Sequence, residues 1–152
     1  CQQLYTILDI TDQKVKEALV DTCDHQPFIA KAPLVLIFCA DCKKWYDAFI
    51  EAGSEPRKPD VGDLMLAVSD AVIAAQNAVV AAESFGIGSC YIGDIMEHCE
   101  LHRELFQLPP YVFPATASGI CVSGGNACVW MANQTTNAAT ETTACRSEVY
   151  CT

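Results

Sequence analysis

A chain of 152 residues, 51% hydrophobic and 18% charged, is long enough for one buried core and too apolar to stay disordered. Its formal net charge of −10 at pH 7 repels polyanions, which argues against nucleic acid or an anionic membrane surface as partner. Its ten cysteines form neither a pair of CxxC motifs nor a Cys/His zinc pattern, and no charged leader with an apolar core opens the chain. Residues 1–115 therefore read as a cytoplasmic protein with reduced, mostly buried thiols.

Residues 3–10 (QLYTILDI) alternate and predict a strand. Thr11 or Asp12 caps a helix over 12–23, with Val15, Ala18, Leu19 and Thr22 on one face, and Pro27 breaks the chain after it. The run LVLIFCA at 34–40 is apolar without alternation, the pattern of a strand buried on both faces. Residues 45–52 suggest a turn or two of helix, and 53–59 (GSEPRKP) a loop.

The longest predicted element is the Ala-rich helix opening at Asp63 and closing at Gly86. Its polar residues recur seven apart, at Asp63, Asp70, Asn77 and Ser84 and at Ser69, Gln76 and Glu83, so they share one narrow edge. The rest of its circumference is apolar, which requires burial at the centre of a domain or in a subunit interface. The polar residues interrupt it as a membrane span.

After this helix, Gly88 is expected to tighten a turn, 90–92 to be extended, and Gly93 to let a ligand approach the backbone. Asp94 with Glu97 reads as a capping box opening a helix over 95–107. That helix would carry Met96, Cys99, Leu105 and Phe106 inward and His98, His102 and Arg103 outward. Pro109 and Pro110 end it, and 111–124 (YVFPATASGICVSG) form a final strand. A mixed sheet flanked by helices fits this order. The composition then shifts: residues 116–152 read as a divergent Thr-, Ala-, Asn- and Cys-rich tail, irregular or disordered, with a chance glycosylation sequon at Asn133.

Three constellations could carry chemistry by residue type alone. Cys39-Ala40-Asp41-Cys42 is a CxxC between a strand and a possible helix, the placement of a thiol-disulfide redox pair, although Asp41 opposes thiolate formation. His98 and His102 have the four-residue spacing of two metal ligands but lack the HExxH pattern, and an exposed polar face accounts for them. No GxSxG is present to support a hydrolase. The fourth candidate is the Gly-bearing turn ending at Gly93, where it meets a helix start.

Here the residues become specific. FIAKAPLVLIFCAD, DAVIAAQNAVVAAESFGIGSCYIGDI and LPPYVFPA, in this order, resemble the FMN-dependent nitroreductase family, and in particular its NADPH-dependent nitroreductase and flavin reductase branch, over residues 1–115. The resemblance implies an α+β fold with a mixed, largely antiparallel sheet flanked by helices. It also implies a homodimer with long interfacial helices, FMN at the subunit boundary, and NAD(P)H as hydride donor to a small-molecule electron acceptor. Carried over residue by residue, Gln26 matches the flavin-bonding glutamine. Tyr91, Ile92 and Gly93 match the loop along the flavin ring, and Asp94 stands where many relatives have a second Gly.

Two departures qualify this. The family's Arg-rich phosphate-binding segment lies upstream of the point where these residues start, and SGICVSGGNACVWMANQ does not match the family's later basic motif. The expectation is a fragment with an altered C-terminus, as a reading-frame change would leave, that holds FMN weakly or not at all. The alternatives are a catalytically silent fragment serving only as a dimerising domain, and a CxxC redox protein.

Overall fold

The computed structural model describes residues 2–122. In chain order its elements are β1 (Tyr5–Asp9), α1 (Gln13–Thr22), α2 (Phe28–Lys31), β2 (Leu34–Asp41), α3 (Lys43–Glu51), α4 (Val61–Ser84), β3 (Ile87–Ile92), a 3-10 turn (Asp94–Met96), α5 (Cys99–Leu105) and β4 (Val112–Val122). The strands form one sheet in the order β1-β2-β4-β3, and every described pairing is antiparallel. β3 is thus an edge strand among the described residues.

β2 explains the architecture. Successive side chains on a strand point to opposite faces, and β2 is covered on both. Val35, Ile37 and Cys39 enter a core with Leu19 of α1, Cys23 just after it, Phe28 and Ile29 of α2, and Ile92 and Ile95. Phe38 and Ala40 enter a second core with Leu4, Ala115 and the Ala67, Ala71 and Ala75 line of α4. A strand buried on both sides has no polar register to show, hence the unbroken apolar run.

α4 starts two residues before the expected Asp63. Asp60 caps it by accepting from the Gly62 amide, and Asp63 accepts in return from the Asp60 amide. Arg57 clamps Asp63 with two bonds of 2.6 and 2.9 Å, which holds that carboxyl below its usual range. Gly86 ends the helix with φ +71°, as its position suggested. By length and mean hydropathy (1.7) α4 could cross a membrane, so its polar residues do not exclude that as the sequence suggested. In the described fold its alanine line lies on the sheet, and Asp70 accepts the Leu4 amide at 3.1 Å.

Several expectations fail in the segment after α4. Gly88 lies within β3 and makes no turn. Asp94 is not a cap: it begins a 3-10 turn, and α5 starts only at Cys99. The inward and outward faces are also exchanged in part. Met96 is exposed, whereas His102 is fully buried and the Arg103 guanidinium lies 4.8 Å from the Phe113 ring centroid. The 3-10 turn ends at Met96 and α5 begins only at Cys99, so Met96 does not share the inward face of α5, whereas His102 lies three residues on from Cys99 along it. The short α2 was not anticipated. β4 runs through the point at which the composition changes, and the sequon and most of the tail lie outside the described residues.

Candidate functional site

The turn between α1 and α2 carries Gln26. Asp24 and His25 both have positive φ (53° and 51°), which reverses the chain in very few residues. Beyond Gln26 the backbone is anchored, because Phe28 packs against Gly119 of β4. A Cβ at Gly119 would stand 3.1 Å from the Phe28 ring, so glycine is what admits that ring. Before Gln26, the end of α1 is held through Thr22, whose Oγ1 lies 2.8 Å from His102 Nε2.

The fold brings Gln26 to Asp94. Gln26 Nε2 donates to Asp94 Oδ2 at 2.5 Å, across 68 residues of sequence. Asp94 is fixed from behind by Ile95, which is fully buried and whose carbonyl lies 2.8 Å from His102 Nδ1. Gly93, between them and β3, is exposed, with nothing within 4 Å of where a Cβ would be.

Tyr91 and Ile92 diverge, as neighbours on a strand must. Ile92 fills the core on the α1 side, leaving only its backbone for a ligand. Tyr91 leans to the other face, where its hydroxyl donates to Gln76 Oε1 of α4 at 3.1 Å; partial burial raises its pKa. So Gln26, Gly93 and Asp94 meet at one place, while the Tyr91 side chain marks the α4 side of the same strand end.

Beside Asp94 opens a depression of about 470 Å³, walled by Asp21, Asp24, Asp94 and Glu97 with His25 and His98. Four carboxylates make it hostile to a phosphate. Nor is a cation at hand, since no Lys or Arg lines it. Lys16 is buried on the Ala32 and Pro33 carbonyls, Lys43 pairs with Asp47, Lys44 binds the Gln3 and Tyr5 carbonyls, and Arg57 is held by Asp63. The residues that line this depression therefore do not fit a phosphate, while Gln26 and the open backbone at Gly93 leave polar groups for the edge of a planar ring.

The sequence pattern of the nitroreductase family matches residues 5–123, most of the chain. The chain belongs to the nitroreductase family. It is similar to an oxygen-insensitive NADPH nitroreductase of Salmonella typhimurium, 35% identical over 120 residues, which are 79% of this chain and 48% of that protein. It is also similar to an FMN reductase (NADPH) of Bacillus subtilis, 33% identical over 114 residues, 74% of this chain and 46% of that one. Among solved structures, the NfrA1 nitroreductase of B. subtilis superposes with a TM-score of 0.77 at 30% identity, over 82% of this chain and 51% of that one. This nitroreductase-family chain thus spans about half the length of the curated relatives it matches.

The CxxC of this nitroreductase-family chain has the wrong surroundings for redox work. Cys39 is fully buried, and burial, then the Asp41 charge, pushes its thiol up to about 12. Cys42 is buried too, and its pKa is raised by the same burial and by nearby carboxylates. Asp41 accepts the Lys43 and Lys44 amides, so the start of α3 stabilises this carboxylate instead of a thiolate. The His98 and His102 pair likewise fails as a metal site: His102 is inside, and no group of three potential ligands gathers among the described residues.

Proposed function

We propose that this chain supplies the ring-binding part of an FMN-dependent NAD(P)H oxidoreductase that reduces nitroaromatics, quinones or flavins by ping-pong hydride transfer. Residues 1–115 would form the flavin-binding unit. The observation that carries the reading is the meeting of Gln26 with Asp94 next to the open backbone of Gly93, at the end of an edge strand. The names of the FMN- and NADPH-dependent relatives support it.

Bound FMN would supply the hydride chemistry, which is why no acid-base pair is required of the protein. This chain's residues bind and orient. The Gln26 amide offers a hydrogen bond in the ring plane. The backbone from Tyr91 to Asp94 lines the ring, and Gly93 leaves room for close approach. Cations for the phosphate would come from chain outside the described residues.

The reading includes a homodimer in the cytoplasm. α4 buries its alanine line on the sheet and leaves Met65, Leu66, Ile73 and Val80 exposed, with Phe85 exposed just beyond its end, an apolar face that a second copy would cover. A second reading, a dimerising unit without catalysis, draws on the lack of phosphate-holding cations at the described site.

Titration of the protein with FMN and with riboflavin, followed by flavin fluorescence, tests both. Saturable quenching by the two flavins, within about tenfold of each other because no cation of the described site grips the phosphate, is expected. NADPH consumption with a nitroaromatic should then depend on added FMN. No quenching by either flavin would leave the dimerising unit as the better account.

A further inference from the structure

We infer that Asp94 is a positioning residue that fixes the polarity of the Gln26 amide, so that the site selects planar rings presenting an N–H donor. This rests on the flavin reading above, and it concerns a carboxylate at a place where glycine is common in the family resemblance.

A glutamine amide has two faces of opposite character, a donor NH2 and an acceptor oxygen, and can rotate to present either. An ionised carboxylate only accepts. With Asp94 Oδ2 2.5 Å from the amide, the group turned toward it must be Nε2. Gln26 Oε1, to which no described donor is bonded, is then what the amide offers to a ligand.

Neither partner is free to drift. Ile95 follows Asp94 and is fully buried with its carbonyl at His102 Nδ1, and Phe28 and Ile29 follow Gln26 into the core. The acceptor is therefore held in place before any ligand arrives, which spares the ligand the cost of ordering it. A ring with an N–H at its edge pairs with Oε1; a ring with only a carbonyl there meets a lone pair and loses a hydrogen bond.

The test uses the 152-residue protein with riboflavin, whose ring carries an imide N–H, and N3-methylriboflavin, which lacks it. The ratio of their dissociation constants is the readout. Wild type should prefer riboflavin by about tenfold, the worth of one partly exposed hydrogen bond. Asp94→Asn keeps the size and a hydrogen bond but can donate as well as accept, so it no longer dictates the amide's orientation. The preference should fall at least about threefold in this variant. The steric cost of the methyl is common to both proteins and cancels in the comparison. Gln26→Leu, nearly equal in volume, should abolish the polar part of the preference altogether. A ratio unchanged in Asp94→Asn, or retained in Gln26→Leu, overturns the inference while leaving flavin binding intact. Failure of wild type to bind riboflavin overturns the flavin reading and this inference with it.

Discussion

At the scale of single residues, His102 does more than its place in the sequence suggests. Its two ring nitrogens lie 2.8 Å from the Ile95 carbonyl and the Thr22 hydroxyl, and Phe106 stacks on it, so one imidazole ties α5 to the turn bearing Asp94 and to the helix before Gln26. Burial lowers its pKa from 6.5, ahead of the opposing effect of the Ile95 carbonyl and the further lowering by His98. Below pH 6.5 the unfolded chain then takes up a proton that the native chain refuses, so stability falls as pH drops through that range and is retained above it. Urea melts between pH 5 and 8 should show this slope, and His102→Gln should flatten it. The same substitution should cost about 1–3 kcal/mol at neutral pH through lost hydrogen bonds and packing. Equal slopes in the two proteins would remove His102 from this role. A regular period of three to four from Ile95 through Cys99 would have placed His102 inward; treating histidine as a surface residue is what misled the sequence reading.

At the scale of elements, the extent of α4 could be read from the chain and its buried face could not. The terminal signals are local: Asp60 and Asp63 reach their amides within one turn, and Gly86 adopts the left-handed conformation that Phe85 would resist. The polar residues suggested one solvated edge, yet the buried face of the helix is mostly its smallest side chains, Ala67, Ala71, Ala75 and Ala82 with Val79, and many of its larger ones point outward. Hydropathy ranks Ile above Ala, but a close helix-sheet approach favours Ala, and only the facing strands make that choice. Ala71→Leu should therefore destabilise the fold by about 1–3 kcal/mol through overpacking, whereas Ala81→Leu, on the exposed side, should change little. Thermal melts of the two variants compare the faces directly; equal midpoints would mean that the alanine line is not a packing surface.

At the scale of the molecule, the outward apolar side chains of α4 set the expected assembly. A second copy covering them would put both copies' α4 helices in contact next to the Tyr91–Gln76 hydrogen bond. Sedimentation should give a dimer for the wild type and a monomer for Ile73→Glu, since a carboxylate facing an apolar partner is not compensated. A wild-type monomer at micromolar concentration would refute the paired assembly. The doubly buried β2, the extent of α4 and the family itself were set by local signals: an apolar run, a helix with readable ends, and segments of family-specific spacing. The local pattern gave only a mixed sheet, and its antiparallel character came with the family resemblance. Other features depended on residues far apart in the chain. The pairing of Gln26 with Asp94, the burial of His102 and the inward turn of the alanines each require partners that no local period encodes, because side chains on separate elements meet only once the sheet has fixed where those elements lie.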